Sequence, residues 1–307
     1  VLLLIPVLIA VYLITNYWTG HFEYSEFTDI GLWGTISLGP NNNLSYLLSG
    51  ILVFINAVVL NHFFNSNGFY ERNNYVVTLL YVVLFSFYPS FYVMDGITIT
   101  QTLLLLCLIQ VFKLEYSQEG RSQAFNVGIF AGLATSFHPP VILLLPFLWL
   151  MITRIRPFVF RESSLLTIGC LIPLIYVWSY NYYIGQEFNF SCFETSELNQ
   201  SKEFVFLIIL ALFSLLLITG VIGIRDKMSK SSIRFRKNTN VINIFLIFCI
   251  VLGVFHWIIF QQYEWFAYSV IPIALFLPFS YLNLKFKLLP YLLFYITFSF
   301  SVIKFFI

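Results

Sequence analysis

Three carboxylates lie three residues apart near the start of the chain, at Glu23, Glu26 and Asp29. On a helix, positions i, i+3 and i+6 share a broad face, so these acids could converge. A converged set would form a carboxylate site at the membrane surface. The same spacing also fits a solvated acidic loop. Both interpretations stay open.

A further acid, Asp95, follows the aromatic run FYPSFYVM and precedes Gly96. The sequence DGITIT fits a helix N-cap, where an Asp side chain accepts a hydrogen bond from the first turn. It also fits a site acid near a membrane boundary, because an Asp costs about 2.5–3.5 kcal/mol at the bilayer centre and less toward the edge. Asp95 is therefore predicted either to cap a helix or to serve in a site.

His138 comes directly before Pro139 and Pro140. A histidine there could hold a phosphate oxygen or shuttle a proton. It could equally hydrogen-bond a carbonyl that the prolines leave without its helical partner. His62 and His256 are predicted to be packing residues. The four histidines and four cysteines are scattered, so they predict no metal ligands.

The composition indicates what surrounds most of the chain. The chain is 59% hydrophobic and 10% charged, whereas ordinary globular chains are about 45–50% apolar and about 25% charged. Lipid must therefore surround most of it, and backbone groups in lipid are satisfied within helices. We predict an all-α, polytopic integral membrane protein with no soluble domain. The net charge of +2 gives no reason to expect nucleic acid as a partner.

Eleven apolar runs approach the roughly 20 residues that a helix needs to cross a bilayer. They are 1–18, 43–63, 74–93, 97–114, 125–138, 139–153, 164–184, 203–223, 241–260, 265–282 and 287–306. We predict one transmembrane domain over 1–307, with an outer loop at 19–42 and a basic cytoplasmic loop at 224–240. Within the outer loop, EFTDIGLWGTI has the mixed pattern of an interfacial amphipathic helix.

Charge placement predicts the orientation. If the first run crosses from inside to outside, fourteen of the sixteen basic residues are cytoplasmic and nine of the fourteen acids are outside. This is a strong positive-inside pattern. The predicted cytoplasmic loops are 64–73, 115–124, 154–163, 224–240 and 283–286. Aromatic clusters are predicted to lie at the outer interface, namely NYW at 16–18, SYNYY at 179–183 and QYEW at 262–265.

The middle of the chain resembles known membrane enzymes. The run NVGIFAGLATSFHPPVILLLPFLWLMITRIRPFVFRE and the span after it, within 126–185, resemble the central stretch of GT-C type integral membrane glycosyltransferases. Residues 67–114 resemble the family's inner loop, span, outer turn with an acid, and next span. In this comparison Asp95 matches the acid by position, and His138 stands where the family often has Lys. Glu26 and Asp29 occupy the region of the first-loop carboxylate.

Several features depart from that family. Its early acids are often adjacent, whereas here they are dispersed. The basic residue usually found near the second acid is absent, as is the large outer C-terminal domain of many members. The FHPP…RPFVFRE run is at least as similar to an uncharacterised family of polytopic inner-membrane proteins from Gram-negative bacteria. That resemblance implies the bacterial inner membrane as the location.

Two functions are compatible with these residues. The GT-C resemblance implies transfer of a sugar from a polyprenyl-phosphate donor at the periplasmic face, with the carrier lipid entering sideways between spans. Glu26 or Asp29 would be the base, Asp95 would orient the acceptor or a divalent metal, and His138 would contact phosphate. The alternative is a non-catalytic subunit of an inner-membrane assembly, with membrane lipids and other proteins as partners. A transporter is less favoured, because no acid is clearly placed mid-span.

Overall fold

A computed structural model of the protein describes residues 4–20, 30–35, 43–70, 73–116, 120–185, 200–260, 263–283 and 288–305. Within these ranges the chain is helical apart from one small antiparallel hairpin. The α-helices are α1 (Leu4–Thr19), α2 (Asn43–Ser66), α3 (Val76–Phe85), α4 (Gly96–Lys113), α5 (Arg121–Phe137), α6 (Leu144–Ile155), α7 (Phe160–Ile184), α8 (Gln200–Ser229), α9 (Ile233–Phe260), α10 (Val270–Asn283) and α11 (Leu288–Ile303). The hairpin pairs β1 (Ile30–Gly31) with β2 (Gly34–Thr35).

The all-α prediction is confirmed, and each predicted apolar run coincides with one of the described α-helices. Five of these helices are long and apolar enough to cross a membrane, namely α2, α4, α7, α8 and α9. The other six have 10 to 17 residues. A helix of ten residues rises only about 15 Å, roughly half of the hydrocarbon thickness. Length and composition thus support five spans, fewer than the predicted eleven.

Prolines account for the ends of three short helices, α3, α5 and α6. The run predicted at 74–93 stops being α-helical at Phe85, and a 3-10 turn at Pro89–Phe91 follows. A second 3-10 turn, Pro139–Leu143, separates α5 from α6. A third, Glu264–Ser269, precedes α10. Proline lacks the amide proton that an interior helical position requires, so the first two turns begin where their prolines stand.

Helix packing places α3 and α10 at the centre of the bundle. Most side chains of α3 are buried, and the described side chains of α10 from Val270 to Tyr281 are all buried. α5 packs closely against α7 and α4, α8 packs against α10, and α6 packs against α9. By contrast, α7 is peripheral and exposes many of its apolar side chains. A helix that is apolar all round is stable only in a protein core or in lipid.

Three turns that carry Lys and Arg side chains meet at one end of the bundle, which we call the basic end. A Cβ built on Gly120, just before α5, would lie 2.0 Å from the Arg156 guanidinium, which follows α6. The Lys237 ammonium donates to the Ile155 carbonyl at the end of α6, over 3.3 Å. Turns of α4–α5, α6–α7 and α8–α9 therefore meet at this end. Asp95 and His138 lie at the opposite ends of α4 and α5.

Three local predictions differ from the structure. Residues 30–35, within the 19–42 loop, form a hairpin where the sequence pattern suggested a helix; glycines at 31 and 34 disfavour a helix. The basic 224–240 segment is helical except around 230–232, because Lys and Arg are good helix formers. Trp265, predicted at the interface, is only 3% exposed. In contrast, Trp18 and Tyr183 of the other two aromatic clusters are exposed.

Candidate functional site

Asp95 caps helix α4. Its Oδ1 accepts a hydrogen bond of 2.8 Å from the Thr98 backbone amide and lies 2.9 Å from the Thr98 hydroxyl. That hydroxyl also lies 2.5 Å from the Ser90 carbonyl, and it has one proton to share between the two oxygens. The capping interpretation is thus confirmed. Burial raises the pKa of the Asp95 carboxyl, although the hydrogen bonds to it act in the opposite direction.

The turn that carries Asp95 is held by two hydrogen bonds with side chains of α2. The Ser49 hydroxyl donates to the Phe91 carbonyl over 2.7 Å, and the Met94 amide donates to the Ser45 hydroxyl over 3.0 Å. Both serines belong to α2. Such contacts satisfy backbone groups that the irregular turn leaves outside helical hydrogen bonding. Asp95 therefore has a fixed position at this end of the bundle.

His138 follows α5 and is buried among aromatic rings. Its imidazole meets Trp265 edge-on, with ring centroids 4.6 Å apart, and lies 5.6 Å from the Tyr268 ring. Burial lowers the pKa of His138 to about 3, with a smaller contribution from nearby His256. The imidazole is therefore neutral at pH 7. Its Nδ1 is buried and has no hydrogen-bond partner within the described part of the chain.

The third 3-10 turn closes this site. The Trp265 ring stacks on His256 of α9, with centroids 3.8 Å apart and planes 8° apart. Tyr268 is fully buried beside His138, and burial followed by the charge of Asp95 raises the pKa of its phenol. Three separate connections thus bring Asp95, His138 and Tyr268 together. We call the set Asp95, Thr98, His138, Trp265 and Tyr268 the polar cluster.

The β1–β2 hairpin packs beside the polar cluster. The Leu32 amide donates to the Ser136 carbonyl over 2.8 Å, two residues before His138. The Trp33 indole donates to the Ser136 hydroxyl over 3.2 Å. On its other side the hairpin is tied to α7, since the Asn181 amide donates to the Leu32 carbonyl over 2.6 Å. The hairpin therefore connects the turn that carries His138 to α7.

The polar cluster is closed. Asp95 is 2% exposed and His138 is 4% exposed, so other parts of the protein cover both side chains. The other two predicted site residues, Glu26 and Asp29, lie outside the described residues. Among the residues that the structure does describe, no three His, Cys, Asp or Glu side chains are grouped to hold a metal ion.

Several aromatic residues in or beside the cluster were not predicted as site residues. Trp265 was assigned to an interfacial aromatic cluster, and Tyr268 carried no signal at all. His256 was predicted to be a packing residue, and its stacking on Trp265 agrees with that. No sequence spacing links α9, the third 3-10 turn and the α5–α6 turn. Only their packing shows that these aromatic residues surround His138.

Comparison with known proteins identifies the family of the chain. No curated protein and no solved structure matches it. One family model, described as a family of unknown function (DUF6427), matches residues 38–306. The matched region includes all of the described helices except α1, and it contains the whole polar cluster. The chain therefore belongs to the DUF6427 family.

Proposed function

We propose that this protein is a membrane enzyme with a GT-C-like core, which transfers a sugar from a polyprenyl-phosphate carrier. The observation that carries the proposal is the convergence of Asp95, His138 and Tyr268, which come from three different connections at one end of the bundle. Burying a carboxyl and an imidazole costs free energy. A helical bundle does not need both groups at one place for packing alone.

Each group has a role in such a transfer. The bond from the sugar to the phosphate oxygen breaks, a bond to the acceptor oxygen forms, and the acceptor hydroxyl loses a proton. Asp95 orients that hydroxyl or accepts its proton, and its raised pKa makes the carboxylate a stronger base. The neutral His138 hydrogen-bonds a phosphate oxygen through its ring N–H. The described cluster does not fit a divalent metal, so we assign none a step.

Because the cluster is closed, the proposal requires an opening motion. The third 3-10 turn covers His138, the β1–β2 hairpin is bound beside it at Ser136, and neither is part of a long helix. Displacement of short connections is the usual way in which enzymes admit substrates. The carrier lipid would enter sideways, from the bilayer. Glu26 and Asp29 remain candidates for the base in the first outer loop.

A second candidate function is a non-catalytic subunit of a membrane assembly. A row of exposed aromatic side chains on α7 favours it: Tyr176, Tyr180 and Tyr183 are 68%, 46% and 89% exposed. They are four and three residues apart, so they share one face of the helix. A partner helix could pack against this face. In that case Asp95 is a helix cap and nothing more.

One purification distinguishes the two candidates. Protein in mild detergent is assayed for bound polyprenyl phosphate by mass spectrometry, and for release of the carrier from an added radiolabelled polyprenyl-phosphate sugar with membrane extract as acceptor. The enzyme proposal predicts both signals. Asp95→Asn should keep the cap, because Asn caps as well as Asp, yet reduce release at least about a hundredfold.

Glu115→Gln is the matched control. It also neutralises one carboxylate, but at the basic end, where Glu115 pairs with Arg234 over 3.3 Å. It should leave release unchanged. A stoichiometric partner chain, with no bound carrier and no release by the unaltered protein, would overturn the enzyme proposal and support the subunit.

A further inference from the structure

The α6–α7 connection exposes an unusual combination of side chains. Phe158, Val159 and Phe160 are 62%, 45% and 77% exposed, and they lie between the exposed Arg154 and Arg161. Large apolar side chains rarely form contiguous exposed groups on a surface that faces only water. Paired phenylalanines flanked by arginines are instead typical of segments that lie at the boundary between headgroups and acyl chains.

The surroundings of this connection are strongly positive. Within the described residues, the basic end carries eleven Lys and Arg side chains and three carboxylates. The basic residues are Lys113, Arg121, Arg154, Arg156, Arg161, Arg225, Lys227, Lys230, Arg234, Arg236 and Lys237. Two of the carboxylates are already engaged, since Glu162 pairs with Arg156 over 3.1 Å and Glu115 pairs with Arg234 over 3.3 Å. The end as a whole therefore has a large excess of positive charge.

The positive charge is continuous with the exposed phenylalanines. The Arg156–Glu162 ion pair packs against Gly120 at the start of α5, and Lys237 of α9 binds the last carbonyl of α6. α7 begins at Phe160, so the positive end of its helix dipole also lies here. Charges from several helices thus surround one apolar protrusion.

We propose that the α6–α7 connection binds the phosphate groups of anionic phospholipids. Arg154 and Arg161 contact the phosphate oxygens, for which the planar guanidinium fork is well suited. Phe158 and Phe160 insert among the upper acyl carbons, and neighbouring cations raise the local concentration of anionic lipid. The proposed site is separate from the polar cluster. The cluster lies at the ends of α4 and α5 that are far from the basic end. The lipid site does not rest on the function proposed above.

Lipid fits this surface better than a soluble anion does. A free phosphate would use the arginines and leave both phenylalanine rings in water. A phospholipid engages the rings and the guanidinium groups together, because its acyl chains adjoin its phosphate. The chemistry of the protrusion is therefore that of a lipid headgroup with its chains attached.

The test uses the full chain in nanodiscs that contain phosphatidylcholine with or without phosphatidylglycerol. Native mass spectrometry of protein released from the discs counts the retained phosphatidylglycerol relative to phosphatidylcholine. Arg154→Gln/Arg161→Gln should lower this ratio by about tenfold or more, since each basic residue near an anionic surface contributes about 1 kcal/mol. Phe158→Ser/Phe160→Ser should also lower it, although that variant keeps every charge.

Arg225→Gln/Lys230→Gln is the matched control, because it removes the same charge from the α8–α9 side of the basic end. It should keep most of the retained phosphatidylglycerol. Equal losses in the two charge variants, or an unchanged ratio in the phenylalanine variant, would overturn the proposed site. Complete displacement of the lipid by inorganic phosphate at constant ionic strength would overturn the assignment to lipid. Thermal unfolding shows whether each variant is folded. If the arginine variant does not fold, the ratio measured for the phenylalanine variant decides whether the lipid site exists.

Discussion

At the scale of single residues, Asp95 combines a structural contact with a chemical capacity. Its carboxylate accepts a hydrogen bond from the Thr98 amide in the first turn of α4. Its charge also lies close enough to Tyr268 to raise the pKa of that phenol. The sequence predicted the cap from the DGITIT pattern, because capping depends on residues that adjoin along the chain. The neighbours of His138 could not be predicted in that way. Trp265 and Tyr268 reach it only through tertiary packing.

Substitution of Asp95 should separate its two capacities. Asp95→Ala removes the acceptor for the Thr98 amide and should lower the free energy of unfolding by about 1–2 kcal/mol. Asp95→Asn retains an acceptor oxygen and should lose little. Thermal unfolding of both variants in detergent measures the difference. Equal destabilisation by Ala and Asn would show that the negative charge, rather than the cap, holds the turn.

His138 should make the fold sensitive to acid. Its pKa is lowered from 6.5 to about 3, so between these values the unfolded chain binds a proton that the folded chain does not. Stability is therefore fully present above pH 6.5 and falls as the pH drops toward 3, by about 2 kcal/mol at pH 5. His138→Gln cannot take up that proton. Unfolding temperatures measured from pH 7 to pH 5 should fall less for this variant, and parallel curves would contradict the assignment.

At the scale of elements, the bundle depends on close contact between α5 and α7. A Cβ built on Gly132 would lie 2.3 Å from the Cys170 carbonyl oxygen, and one on Gly128 would lie 2.1 Å from the Leu166 carbonyl oxygen. These helices touch backbone to backbone, as small residues allow between membrane helices. The apolar runs predicted that both helices exist. They did not predict this contact, because a glycine in a helix has no single meaning in a sequence.

Adding one methyl group should test the α5–α7 contact. Gly132→Ala forces the helices apart and should destabilise the protein by about 1–3 kcal/mol. Gly220→Ala in α8 is the matched control, because its Cβ would come no closer than 3.4 Å to Phe276. Thermal unfolding compares the two. A tolerated alanine at 132 would mean that α5 and α7 are not in backbone contact.

Two lysines donate hydrogen bonds to turns at opposite ends of the bundle. The ammonium of Lys304, just after α11, binds the Ser86 carbonyl and hydroxyl and lies 4.6 Å from the Phe87 ring. The ammonium of Lys227, in α8, donates to the Phe69 carbonyl over 2.6 Å and lies 4.8 Å from the Tyr70 ring. Each combines a charge-assisted hydrogen bond with a cation–π contact. Lys304 is only 2% exposed, so its contacts lie within the protein.

Replacing each lysine with methionine should loosen a different turn. Lys304→Met removes a buried hydrogen bond, which costs about 1–3 kcal/mol, and should speed amide hydrogen exchange in segment 86–95. Lys227→Met should speed exchange near 69 instead. Mass spectrometry of peptides after exchange reads both effects in one experiment. Faster exchange in the same segment for both variants would show that neither lysine acts locally.

At the scale of the whole molecule, the two ends of the bundle differ in chemistry. One end holds the polar cluster, and the other holds most of the described cations. Composition alone was sufficient to predict a helical chain with lipid as its solvent. The apolar runs predicted eleven spans, whereas five of the described helices are long and apolar enough to cross a membrane, and 3-10 turns that begin at prolines shorten three of the others. The positive-inside pattern then predicts that the basic end faces the cytoplasm.

Cysteine labelling in intact spheroplasts tests this orientation most directly. In a background without the four native cysteines, Tyr183→Cys places a thiol at the cluster end of α7, where the native side chain is 89% exposed. Ser229→Cys places one at an exposed position of the basic end. The account predicts that a membrane-impermeant maleimide labels position 183 at once and position 229 only after permeabilisation. Labelling of 229 but not 183 in intact cells, or of both, would contradict the orientation and the periplasmic site that rests on it.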